Sequence, residues 1–403
     1  MMNESDRSKT DMPCGGTTPE TDQLHVFDWL HESLEEREAA GLLRRPAQRS
    51  TEPGLDFASN DYLGLRHDIR LHQAGIAAAA TAGAGAGSSP AVSGWTGPYQ
   101  DLVEALADWK RAEAALAFSS GYAANVSIVA ALVTAGDAVY ADRLSHACLI
   151  DGTRASGAML RVFAHNDPES LARALERDEG RFRRRLIVTE SLFSMDGDQA
   201  PLTRIADLAG KHRCMMLVDE AHATGVFGPE GRGLVDAAGL ADHPAIVRMG
   251  TLSKAIGCQG GYVVGSRRLI SWLIQASRGW IYSTALAPYI AGASTCAIGL
   301  IRSADSRRSY LLQSADALRA TLRSYGWEVA EGQGPIVPVR IGPVEDVMRI
   351  DEFLASHGIA AGAIRPPTVP AGTARLRISL SASHGPENLD RLVRTLNLAR
   401  ESI

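Results

Sequence analysis

Cys214-Met215-Met216-Leu217-Val218-Asp219 is an apolar run that stops on a carboxylate. Similar short apolar runs lie at 115–119, 138–141, 160–164, 186–190, 246–250 and 262–265. Most are followed by amphipathic, helix-like stretches, such as 123–134, 168–177 and 202–212. Strand alternating with helix implies an α/β fold, a mostly parallel sheet covered on both faces. The runs predict about seven strands, and the connection from 254 to 261 is too short for a helical crossover, so one edge is expected to be antiparallel.

Outside this core, 25–43 reads as an amphipathic helix and 290–325 as one long helical stretch. The segment 337–403 then reads as strand, helix (346–356), strand (375–379) and final helix (386–402), a small α+β domain. The expected organisation is a disordered tail over 1–23, an N-terminal helical segment over 24–66, a large domain over 67–295 and a small C-terminal domain over 296–403.

Of 41 basic residues only four are lysines: Lys9, Lys110, Lys211 and Lys254. Arginine stays protonated and cannot form an imine, so a lysine among small residues raises the question of amine chemistry. An ordinary surface role suits Lys9, Lys110 and Lys211, which sit in a polar tail or amphipathic segments. It suits Lys254 poorly. The net charge of -5 gives no global pull toward nucleic acid or membrane. Cys14, Cys148, Cys214, Cys258 and Cys296 are scattered, without disulfide or zinc spacing, so a cytoplasmic location is expected and no metal.

In open α/β sheets ligands bind beyond the carboxyl ends of the strands. Polar residues gather there in this chain. Gly121 and Tyr122 follow the first run and open a helix, whose amides suit a phosphate. His146 starts the helix after 138–141. Ser194 follows 186–190, and Asp219 closes its own run with His222 three residues on. Thr251, Ser253 and Lys254 follow 246–250. Chance punctuation explains any one of these better than all together. A carboxylate ending run 214–218 is desolvated and calls for a cation or several donors; its plain alternative is a cap on the next helix. Gly83-Ala84-Gly85-Ala86-Gly87-Ser88 follows an Ala-rich helical stretch and not a strand, so it lacks the context of a dinucleotide fingerprint and reads as a tight active-site loop.

These residues resemble a known family. From about His25 onward the chain is similar to the α-oxoamine synthases of the fold-type I pyridoxal-phosphate (PLP) enzymes. The resemblance rests on Ser59–Leu65 (SNDYLGL), Ser120–Asn125 (SGYAAN), Asp142–Ala147 (DRLSHA), Thr189–Asp198 (TESLFSMDGD), Val218–Gly225 (VDEAHATG), Thr251–Lys254 (TLSK) and Tyr282–Thr284 (YST). His165-Asn166-Asp167, the segment 364–370 and Arg375-Leu376-Arg377 point within the family to biotin synthesis, with L-alanine and a pimeloyl thioester as substrates.

The resemblance implies that Lys254 holds PLP as an imine and that Asp219 pairs with the ring nitrogen. It implies that His146 stacks on the ring, and that His222 and Ser194 serve its phenolic oxygen. Gly121, Tyr122 and Thr251 would hold the phosphate, with Thr284 supplied across a homodimer interface. Arg377, helped by Asn60, would take the amino-acid carboxylate, with Arg44 and Thr368 near the acyl substrate. Alternation along 375–379 puts Arg375 and Arg377 on one face; only the resemblance selects Arg377. Ser88-Ser89-Pro90-Ala91 and Trp95 depart from the family pattern, and that loop bears on acyl-chain preference.

Overall fold

The computed structural model describes residues 26–44 and 54–401. The described residues divide between two units, one within 1–47 and one within 48–403. In the first, a helix spans Trp29–Ala39, shorter than the expected 25–43. Gly41, at φ +66°, turns the chain out of it. The expected tail over 1–23 and the start of this helix at His25 lie outside the described residues.

In the larger unit seven strands form one sheet: β1 (Ala114–Phe118), β2 (Ala138–Asp142), β3 (Met159–Phe163), β4 (Arg185–Glu190), β5 (Met215–Asp219), β6 (Ile246–Thr251) and β7 (Gly261–Gly265). Their order is β1-β7-β6-β5-β4-β2-β3. β7 runs antiparallel to both its neighbours, β6 and β1. The antiparallel strand is therefore one place in from the edge, not at it. The short return from β6 forces β7 to lie beside it in the opposite sense, and β1 then pairs along β7's outer side.

Period-two alternation divides the strand residues between two cores. Val188, Leu217 and Met249 face the helices Gly121–Leu132 and Ala147–Ser156. Ile187, Met216 and Val218 face the opposite layer. Asp219, two residues beyond Leu217, ends on the first of these faces. The expected stretch over 290–325 is two helices, Pro288–Arg302 and Asp305–Ser324. Arg308 donates to the Ile301 carbonyl at 2.6 Å, satisfying an acceptor freed where the first helix ends.

A second, antiparallel sheet has the order β10-β11-β9-β8: β8 is Glu328–Val329, β9 Ile336–Gly342, β10 Gly362–Ile364 and β11 Ala374–Ser379. The helices Val344–Ser356 and Pro386–Glu401 accompany it. β8 and β10 are too short for a periodic signal in the sequence. The Ser379 amide donates to the Phe57 carbonyl at 2.8 Å, tying β11 to the segment that carries Asn60 and Tyr62. No helix among the described residues is long and apolar enough to cross a membrane.

Candidate active site

Asp219 is buried where β5 ends, and no helix follows for it to cap: the chain turns through 221–227. One carboxylate oxygen accepts from the Ala221 amide at 2.8 Å, the other from Asn125 Nδ2 at 2.7 Å. Among the described residues no cationic side chain pairs with it. Asn125 lies one helical turn past Gly121, on the helix whose start Ser120 caps by accepting from the Ala123 amide.

These groups border a cavity of about 240 Å³ at the carboxyl ends of β4, β5 and β6. Of the expected residues, Gly121, Tyr122, His146, Asp219, His222, Thr251 and Lys254 line it, and so does Ser253. His146 caps its helix as expected. Its Nδ1 accepts from the Cys148 amide at 3.2 Å and lies 2.8 Å from Cys148 Sγ. Thr251 Oγ1 donates to the Gly260 carbonyl and meets Ser253 Oγ, both at 2.8 Å. A Cβ on Gly261 would sit 2.6 Å from the Ser120 carbonyl oxygen and 2.7 Å from Gly121 Cα, so glycine at the start of β7 lets the helix N-terminus approach the strand closely.

Lys254 Nζ lies 2.7 Å from His222 Nε2, and His222 Nδ1 lies 2.6 Å from the Tyr62 hydroxyl. Arg377 Nη2 donates to that hydroxyl at 3.4 Å and Nη1 to Asn60 Oδ1 at 3.0 Å. A continuous polar line therefore runs from the lysine amine to an arginine fork on β11. Burial brings the Lys254 amine down to about 8, while Asp219 and Glu190 pull it upward. Burial and the Lys254 charge hold His222 well below the usual imidazole range. Burial also lowers His146, against the attraction of Asp219.

Ser194 is buried, and its carbonyl accepts from Arg377 Nε at 2.5 Å. Arg375 instead forms an ion pair with Asp196, so the two arginines of one face have different partners. Thr284 and Thr368 are exposed and do not line the cavity, and Arg44 belongs to the N-terminal unit. The glycine-rich loop joins the Thr284 segment through the Ala285 amide, which donates to the Ser88 carbonyl at 3.0 Å. Trp95 packs at 4.9 Å from Tyr99, ring to ring.

Sequence reasoning missed Asn125, Tyr62, Cys148 and Glu190 as parts of the site. Glu190 carried the same signal as Asp219, a carboxylate closing an apolar run. The expectation for Lys110 is overturned. Its side chain is fully buried, 3.4 Å from Glu220, and donates to Thr224 at 3.3 Å and to the Arg232 carbonyl. Its ammonium also lies 5.1 Å from the centre of the Trp109 ring. An ordinary surface lysine would have none of these partners.

The residues present fit PLP. A buried carboxylate with only neutral donors suits a cationic ring nitrogen, an imidazole suits stacking, a helix N-terminus suits a phosphate, and a partly neutral amine suits imine formation. The family model for aminotransferase class I and II matches residues 52–396. The chain is 43% identical over 378 residues to an 8-amino-7-oxononanoate synthase of Alkalilimnicola ehrlichii, covering 91% of this chain and 96% of that one. It is 44% identical over 376 residues to the Trichlorobacter lovleyi 8-amino-7-oxononanoate synthase, covering 90% and 95%. Among solved structures, serine palmitoyltransferase from S. paucimobilis with a bound PLP–myriocin aldimine superposes with a TM-score of 0.87 at 30% identity, covering 95% and 99%. The Francisella tularensis 8-amino-7-oxononanoate synthase superposes with a TM-score of 0.74 at 26% identity, covering 87% and 99%.

Proposed function

The chain belongs to the aminotransferase class I and II family and, within it, to the 8-amino-7-oxononanoate synthases, PLP-dependent acyltransferases of biotin biosynthesis, and we propose that it condenses L-alanine with pimeloyl-CoA or a pimeloyl carrier protein. In the overall reaction a bond forms between the alanine α-carbon and the thioester carbonyl carbon. The thiol leaves, and the alanine carboxylate departs as carbon dioxide.

PLP, when bound, supplies an electron sink for the amino-acid α-carbon. Asp219, held by Asn125, would keep positive charge at the ring nitrogen. The amides of Gly121 and Tyr122 and the Thr251 hydroxyl would hold the phosphate, with the partner subunit's Thr284. His146 would stack on the ring, and His222 and Ser194 would serve its phenolic oxygen. Lys254 Nζ takes the alanine α-proton and later returns a proton to the same carbon. Its lowered affinity for protons suits a base at working pH. Arg377 grips the alanine carboxylate with Asn60 beside it, and Thr368 orients the acyl substrate.

The observation that supports this reading is the line Lys254–His222–Tyr62–Arg377, which joins an amine and a guanidinium in one hydrogen-bonded network. The superposition on serine palmitoyltransferase keeps a second reading in view, a sister α-oxoamine synthase using serine or glycine. Alanine, glycine and serine, each paired with pimeloyl-CoA and acetyl-CoA and read by product mass, separate the two. Alanine with pimeloyl-CoA is expected to turn over fastest. Faster turnover of glycine with acetyl-CoA would remove the biotin reading and leave the family.

A further inference from the structure

Glu190 is the last residue of β4 and stands in register with Asp219, the last of β5. Alternation puts both side chains on the face covered by the helices Gly121–Leu132 and Ala147–Ser156, and both line the cavity. Their exposures are 2% and 6%. Their hydrogen-bond donors differ. Asp219 has one donor for each oxygen. Glu190 Oε2 accepts from the Ser194 amide at 3.3 Å and the His146 amide also favours its ionised form, while its buried Oε1 has no hydrogen-bond partner among the described residues.

An ionised carboxylate only accepts, so a buried oxygen without a donor bears its desolvation cost in full. A protonated carboxyl is neutral and brings a donor of its own. The titratable groups facing Glu190 are Asp219 from β5, Lys254 beyond β6, and His146 and Cys148 at the start of their helix. Burial and the Asp219 charge push the Glu190 carboxyl up to about 8, against the pull of Lys254.

We propose that Glu190 is a positioning residue for the reaction proposed above and works as a neutral acid. It keeps its proton beside Asp219, so that the strand-end pair presents one negative charge to the cofactor ring and leaves the Lys254 amine free to shed its proton. When Glu190 ionises, it adds negative charge beside Lys254 and raises the amine's affinity for protons, so neutral amine accumulates only at higher pH. The rise of turnover with pH is then broader and completes at higher pH than a lysine base alone would give.

Infrared difference spectra of the PLP-loaded enzyme read this acid directly. The expected result is a buried carboxyl carbonyl band, present at neutral pH, lost as pH rises into the alkaline range and missing in Glu190→Gln. Its absence from the wild type at neutral pH overturns the proposal. In pH profiles with alanine and pimeloyl-CoA, the rise of kcat in Glu190→Gln should be steeper and complete at lower pH than in the wild type, with the alanine KM moved by less than about threefold. Superimposable profiles also overturn it. If the glutamine variant does not accumulate as folded enzyme, Glu190→Asp keeps an acid and must shift the band; an unmoved band belongs to another carboxyl and sinks the idea. If the wild type does not use alanine with a pimeloyl thioester, the proposed reaction fails, while the infrared band still decides whether Glu190 is protonated.

Discussion

Lys254 keeps its amine against a wall that disfavours charge. With its pKa near 8, roughly a tenth of it is neutral at pH 7. The neutral amine is the nucleophile that captures PLP. The rate of PLP uptake by cofactor-free protein should therefore climb about tenfold per pH unit up to about pH 8 and then level off, which stopped-flow absorbance will show. A pH-independent rate would contradict the burial argument. Lys254→Arg keeps the charge without imine chemistry, so condensation should drop by on the order of 10² to 10⁴ and borohydride should fix no cofactor to the peptide. The two arginines of β11 separate by partner. Arg377→Ala should raise the alanine KM by about tenfold or more, since charge-assisted bonds to a carboxylate are lost. Arg375→Ala should leave the alanine KM near its starting value and lower stability by about 2 kcal/mol, because it strands Asp196. The reverse pattern in steady-state kinetics would exchange their roles.

At the scale of elements, single side chains tie strand ends together. His165, beyond β3, places Nδ1 2.8 Å from Asp142 at the end of β2 and Nε2 2.8 Å from Asp198 beyond β4. Burial alone would lower its pKa, but the two carboxylates raise it to about 10. The folded value lies above the unfolded one near 6.5, so its contribution to stability is complete below about pH 6.5 and fades as pH rises through about 10. The stability gap between wild type and His165→Gln in urea should be widest in mild acid and narrow steadily over that range. A gap that widens toward alkaline pH would refute the ion-pair assignment. On the same face of the sheet, Lys110 and Glu220 form a pair in which each side chain is 1% exposed. Lys110→Met should cost about 3 kcal/mol by leaving Glu220 buried without its cation, and Lys110→Met with Glu220→Leu should recover most of that loss.

For the whole molecule, the question is what completes the cavity. Thr284 is exposed within its own chain and is assigned by resemblance to the partner's phosphate site. If two subunits share each site, mixing Lys254→Ala with Thr284→Ala builds hybrid dimers that hold one intact site. Random mixing should restore about a quarter of wild-type activity. An active monomer by light scattering, or no recovery in proven hybrids, would end the shared-site assignment.

Much of this protein could be read along the chain because the relevant signals are local. Apolar runs mark the strands, and the strand-end rule places Asp219, Thr251 and Lys254 on one rim with the helix starts at Gly121 and His146. The family motifs add Arg377. Tertiary structure alone decided the matters that depend on a distant partner. The buried state of Lys110 needs Glu220, 110 residues away, and the distinction between Arg375 and Arg377 needs Asp196, 179 residues before Arg375. β7 lies inside the edge only because β1, far earlier in the chain, pairs beyond it. Glu190 differs from Asp219 only in which donors the folded chain brings to each carboxylate. Periodicity reports the face on which a side chain lies. The protonation and partner of a buried charge depend on atoms that meet only when the chain has folded.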